Sequence, residues 1–160
     1  MAFETFNVEA WIYSTLKNDS TLQTELAKAA GKAKDYQIGV YGHIAPSVDP
    51  NSSKTPVLPY IIFDRAGNES ADELAVCGSA ALSFPIYRIK VWDGGTKALN
   101  FKSIKAIADR VDALLNNVVV TSYTPNFNCI RNNIDTIIQV EDDGKIYYAA
   151  VLEYRFVNRF

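Results

Sequence analysis

The chain has 160 residues, is 48% apolar and 21% charged, and has a formal net charge of -2 with a pI near 5.4. That length suits one domain over residues 1–160, and the composition is that of a folded chain rather than a disordered one. The slight acidic excess lacks the basic surplus that marks a dedicated nucleic-acid binder.

Val8, Trp11, Ile12 and Leu16 fall at helical spacing, which predicts a short amphipathic helix near the start. Asn18-Asp19-Ser20 offers cap residues for a second helical stretch containing Leu22, Leu26 and Ala29, closed by Gly31. Val40-Tyr41 reads as a short edge strand. A polar loop with Pro46, Pro50 and Pro56 follows, and Pro59 opens the apolar run Tyr60–Phe63. Proline fixes its own φ, lacks an N–H and biases its predecessor toward extended geometry, so the loop is expected to be semi-rigid and Pro59 suits the first residue of a strand.

The first well-marked strand is predicted over Tyr60–Ala66, followed by a long acidic loop with Glu69, Asp72 and Glu73. Leu82–Asp93 reads as a second strand, with Tyr87, Ile89 and Val91 on one face and Arg88 and Lys90 on the other. Asp93-Gly94-Gly95-Thr96 then turns into the clearest helix, where Phe101, Ile104, Ile107, Ala108, Val111, Leu114 and Leu115 recur at three- and four-residue steps before Asn116-Asn117. A third strand is predicted over Asn128–Glu141 and a fourth over Lys145–Asn158, joined at the hairpin signal Asp142-Asp143-Gly144.

These elements give an α/β (α+β) reading: a four-stranded, mostly antiparallel sheet with amphipathic helices on one face. In the last strand Ile146, Tyr148, Ala150, Leu152, Tyr154 and Phe156 share one side, yet Tyr147, Ala149, Val151 and Val157 populate the other. Across the hairpin Ile134, Ile138 and Val140 face one way and Ile137 the other. A half-solvated sheet should alternate apolar and polar more cleanly. The surplus apolar surface points to contact with another protein surface, or to the chain's own loops folding back over it.

Little in the chain suggests chemistry. Cys77 and Cys129 stand far apart with no CxxC and a single histidine, so no zinc site is expected and buried thiols are the ordinary reading. The Gly94-Gly95 turn could offer N–H groups to a phosphate, as a small phosphate-ligand module or enzyme would, but no Gly-Lys-Ser/Thr follows and the spacing is not G-x-G-x-x-G. Thr96 as a helix cap explains that turn without a ligand. His43 has no Ser or Cys partner in sequence, although a dyad with Cys77 or Cys129 is possible in space. Asp109 and Asp112 sit three apart on one helix, a common pattern on solvated faces. The aromatic set Tyr60, Tyr87, Trp92, Tyr147, Tyr148 and Tyr154 could stack on a base or sugar, and core or interface packing is its commoner use. The first eleven residues include Glu4 and no basic stretch, so no secretory signal is expected, and neither uncharged stretch, 74–87 or 113–130, reads as a membrane span. A protein made in a cytoplasm, with no membrane partner, is the expectation.

The order of these features resembles the tail-completion (tail-terminator, head-to-tail joining) proteins of long-tailed bacteriophages. The resemblance rests on the helical pair with its DSTL cap, the VY–proline loop–LPY strand, the strand ending in VWDGG, the helix FKSIKAIADRVDALL and the closing acidic hairpin. It implies a non-enzymatic virion protein without cofactor, forming a six-membered ring that caps the tail tube and meets the head connector (stopper). Double-stranded DNA would then pass the lumen without specific binding, repelled by acidic groups. The candidates to line the channel are Glu69, Asp72 and Glu73, or Glu141, Asp142 and Asp143, and each cluster also reads as a solvated loop. The proline segment, with Pro46, Pro50, Pro56 and Pro59, is the candidate docking loop. A connector adaptor or tail-tube-like subunit is the nearest alternative.

Overall fold

The computed structural model describes residues 5–33, 39–47, 55–70, 83–95, 101–122, 126–132 and 136–158. Helix α1 spans Thr5–Asn18 and α2 spans Ser20–Ala29. Between them Asp19 takes extended backbone and its Oδ1 accepts the Leu22 N–H at 2.7 Å, capping α2. The far end closes as a Schellman motif. The Lys32 N–H donates to the Ala27 carbonyl and the Gly31 N–H to the Lys28 carbonyl, with Gly31 at φ 66°. Helix α3 spans Phe101–Leu115 and ends at Asn117 in the left-handed region, φ 57°.

Seven strands form one mixed sheet: β1 Val40–Gly42, β2 Tyr60–Ser70, β3 Ser83–Gly95, β4 Val118–Val120, β5 Phe127–Arg131, β6 Thr136–Asp142 and β7 Lys145–Asn158. The order is β1-β2-β3-β7-β5-β4, with β6 beside β7, and only the β1–β2 pair is parallel. The four-strand expectation is therefore corrected in three places. The predicted third strand is two, β5 and β6, which lie along successive lengths of β7 with a break between them. Strand β4 has no signal in the sequence, because three valines held only by β5 carry no periodicity to read. The edge strand expected at Val40-Tyr41 is present as β1, held in parallel by β2, and joins the sheet as a seventh member outside the count of four. Strand β2 also runs on through a register shift between Arg65 and Gly67, which places Glu69 on the strand instead of in the loop.

The helices pack on one face of this sheet. Val8, Ile12 and Leu16 of α1, Leu22 and Leu26 of α2, and Ile104, Ile107, Val111 and Leu115 of α3 join a single core with Ile61, Tyr87, Ile89, Val91, Leu152, Tyr154 and Phe156. The period-two face of β3 is as expected, with Tyr87, Ile89 and Val91 fully buried. Phe156 lies at the aromatic centre, edge-on to Tyr87 at 5.5 Å, Phe127 at 5.6 Å and Trp11 at 5.9 Å.

Two polar ties lock the helices. Arg110 of α3 donates two hydrogen bonds to the Asp19 carboxylate, at 3.0 and 2.6 Å. The Tyr154 hydroxyl donates to Asp112 at 2.9 Å, and Arg131 lies 3.2 Å from the same carboxylate. Burial and the Asp112 hydrogen bond push the Tyr154 phenol far above its ordinary value. The Arg110 hydrogen bond holds the Asp19 carboxyl below the usual range, against an opposing effect of burial. A carboxyl whose folded pKa is depressed contributes stability that is complete above its unfolded pKa, about 3.9, and is lost as pH falls through the folded value. Asp19→Ala removes the cap and is expected to cost about 1 kcal/mol at pH 7. Asp19→Asn keeps a capping oxygen and loses only the ion pair. Thermal denaturation should show the Asn deficit at pH 7 shrinking to nothing as pH drops below the folded pKa. A deficit independent of pH refutes the ion-pair assignment.

Candidate functional site

The sheet face away from the helices divides into a polar half and an apolar half. The polar half is closed by its own pairs: Asp64 accepts from Lys90 at 2.7 Å, and Glu153 accepts from Arg88 at 3.0 Å and from Asn132 at 2.7 Å. Arg88 and Glu153 are direct cross-strand partners, so this half is largely self-satisfied.

Among the described residues the apolar half has no such closure. Register puts Tyr60, Trp92, Ala149 and Ile138 in one row across β2, β3, β7 and β6, with Gly94, Tyr147 and Val140 in the next. Tyr60, Ile62, Lys90, Trp92, Val140 and Tyr147 line a hollow of about 470 Å³, rimmed by His43, Ile44 and Asp142. Ile44, on the turn after β1, is 76% exposed. Burial, reinforced by the neighbouring Tyr147, raises the Tyr60 phenol above its ordinary value. Gly39 directly precedes β1, and a Cβ there would lie 2.0 Å from the Tyr41 ring, so glycine leaves room for that ring, which meets Tyr60 edge-on at 5.9 Å centroid to centroid.

The β6–β7 hairpin extends this apolar surface to both of its faces. Ile138 (39% exposed) and Val140 (43%) lie on the hollow side, and Ile137 (53%) and Ile146 (40%) lie on the helix side. Beside Ile137 a groove of about 340 Å³ runs between α3 and β6, lined by Phe101, Ile104, Lys105 and Ala108. Two-residue turn geometry fixes the tip: Asp143 and Gly144 both take positive φ, 50° and 69°, as a type I′ turn requires. The outcome is an arm with greasy sides and an acidic end, Glu141-Asp142-Asp143, all three exposed.

The other sequence candidates scatter. Glu69 has its backbone on β2, away from the hairpin, and Asp72 and Glu73 lie outside the described residues, as do Pro50 and Ile134. Pro46 follows the β1 turn, Pro56 precedes β2 and Pro59 is buried directly before Tyr60. The Gly94-Gly95 turn is corrected: both residues belong to β3, and α3 begins at Phe101. Gly94 sits at φ 116°, and a Cβ there would come within 2.4 Å of the Ile146 carbonyl oxygen, so close strand approach explains it. A Cys129–His43 dyad is also overturned. Cys129 is fully buried on β5 and His43 follows β1, with three strands between, about 19 Å at sheet spacing. His43 is 3.6 Å from Glu9, and its left-handed φ of 65° marks a tight turn. Burial pushes the Cys129 thiol well above its ordinary value, the opposite of a reactive thiolate. Of the aromatic set, Tyr87 and Tyr154 belong to the core while Tyr60, Trp92 and Tyr147 line the hollow. Asp109 pairs with Lys105 at 2.6 Å, whereas Asp112 is the anchor of Tyr154 and Arg131.

No family model and no curated protein matches the sequence. Among solved structures, a chain of the virion of a native gene transfer agent particle superposes over 99% of this chain and 100% of its own, at 19% identity and a TM-score of 0.58. A second solved chain covers 99% of this chain and 98% of its own, at 13% identity and a TM-score of 0.55. The likeness spans essentially the whole chain and is one of fold.

Proposed function

We propose that this chain is a structural protein of a phage-like virion, acting at the end of the tail where it meets the head. The observation that carries the reading is the β6–β7 arm, whose apolar side chains are exposed on both faces beside an aromatic hollow. Leaving such surface wet costs about 25 cal/mol per Å², a cost relieved by subunit contacts. The fold shared with a chain of a gene transfer agent virion supports the same assignment.

In the finer form of this proposal the subunits close into a six-membered ring through head-to-tail contacts, one patch of each copy meeting a different patch of the next. The ring ends the tail tube, receives the head connector and lets double-stranded DNA through. Its role is mechanical, with no reaction to catalyse. The test is a deletion of the gene followed by negative-stain imaging of the lysate. Overlong tails, or finished tails beside unattached heads, are expected. Complete absence of tails would instead indicate a tube subunit, and normal particles would refute the proposal.

The acidic tip gives this reading a second test. If Glu141, Asp142 and Asp143 face the channel, they repel DNA phosphates, and Asp142→Lys/Asp143→Lys converts that repulsion to attraction. Particles carrying the double variant should assemble but release DNA more slowly, with the defect easing as salt rises. Normal release kinetics would take the hairpin tip out of the lumen.

A further inference from the structure

Strand β6 pairs with β7 on one side, and among the described residues no strand pairs its other side from Thr136 to Asp142. Protein sheets ordinarily guard such edges by shortness, lysine, proline or a bulge. The sheet's other edges follow that rule: β1 and β4 are three residues each, and β2 beyond β1 carries the register shift at Arg65/Gly67. Strand β6 has seven residues in unbroken register, contains neither lysine nor proline, confines its charges to Glu141 and Asp142 at one end, and exposes Ile137, Ile138 and Val140.

We infer that β6 pairs antiparallel with β6 of a second copy, about a two-fold axis through Gln139. The strand is self-complementary in that register. Ile138 lies opposite Val140 of the second copy, Gln139 lies opposite itself, and Glu141 and Asp142 lie opposite Ile137 and Thr136. A parallel in-register pairing would instead set Glu141 and Asp142 directly against their own copies, and like charges opposite one another destabilise a sheet. The acids at one end of the strand thus select the antiparallel partner. On the hollow side Ile138 and Val140 of both copies then form one apolar cluster, flanked by Tyr147, the β7 partner of Val140.

This contact is isologous and closes at two copies. It differs in symmetry from the head-to-tail contact of a ring, competes with it for the same arm, and does not depend on the virion reading. Because it covers the arm, the free dimer also withholds that arm from any other assembly.

The test uses the full chain with Cys77→Ser. Opposed residues in an antiparallel pair have Cα atoms about 4.5–5.5 Å apart, within disulfide reach. Gln139→Cys should therefore form a symmetric disulfide dimer on mild oxidation. Glu141→Cys alone should not, and an equimolar mixture of the Ile137→Cys and Glu141→Cys proteins should give a heterodimer. Native mass spectrometry should show a wild-type dimer, weakened about fivefold by Gln139→Lys, which sets two ammonium groups on the axis, with an unchanged melting temperature. Equal cross-linking at 139 and 141, or no cross-link at 139, overturns the inference. Six-copy rings without a 139 cross-link would overturn it while leaving the virion reading intact, whereas normal particles from a deleted gene would overturn that reading alone.

Discussion

Replacing Phe156 by alanine is expected to lower the stability of this protein by about 3–5 kcal/mol, the usual cost of emptying a buried phenylalanine site. At 160 residues that corresponds to a fall in melting temperature on the order of 10 °C. Phe156 is 1% exposed and meets rings from three other elements: Trp11 from α1, Tyr87 from β3 and Phe127 from β5. Trp11 and Phe127 also meet each other edge-on at 5.6 Å. Tyr87 donates to Glu9 of α1 at 3.2 Å, so the space left by Phe156 cannot close without breaking a hydrogen bond. Phe156→Leu fills most of the volume and should cost less than half as much. Urea denaturation of the two variants checks the claim. A loss near 1 kcal/mol for the alanine variant would mean that the helices and the sheet are held together at some other point.

Much of this architecture is legible in the sequence, because it is periodic. The strand Lys145–Asn158 has the bounds its sequence predicts, since alternation and an Asp-Gly turn fix both its faces and its start. The third helix and the Asp19 cap follow from equally local signals. What stayed hidden depends on partners distant in the chain. The break between β5 and β6 interrupts a stretch whose alternation continues across it, and it shows only against β7. Asp112 looks like any helix-surface acid until Tyr154, 42 residues on, is brought beneath it. Gly94 and Gly95 read as a turn into the helix because the sequence does not show that the Ile146 carbonyl lies against Gly94. The candidate site has the same split. That the hairpin strands are apolar on both sides could be read directly, but that Tyr60, Trp92 and Tyr147 meet in one hollow depends on the β2–β3–β7 register.

That hollow and arm predict the largest functional effect. Ile138→Asp combined with Val140→Asp should leave the fold intact and abolish assembly. Both side chains are about two-fifths exposed on an edge strand, and surface substitutions of this kind ordinarily change stability by less than about 0.5 kcal/mol each. In a subunit contact the same two changes remove the burial of two branched side chains, about 3 kcal/mol, and a hundredfold or more in affinity per contact. They also bury carboxylates without partners, which deepens the loss. Around a closed ring the deficit recurs at every joint, so a modest change per contact becomes complete failure to close. The double variant should therefore melt within about 3 °C of the wild type and yet fail to rescue particles from a strain lacking the gene. Conservative Ile138→Val/Val140→Ile, which keeps the apolar surface, should rescue in full. Rescue by the aspartate pair at wild-type level would mean that the arm, for all its exposed apolar surface, touches nothing in the particle.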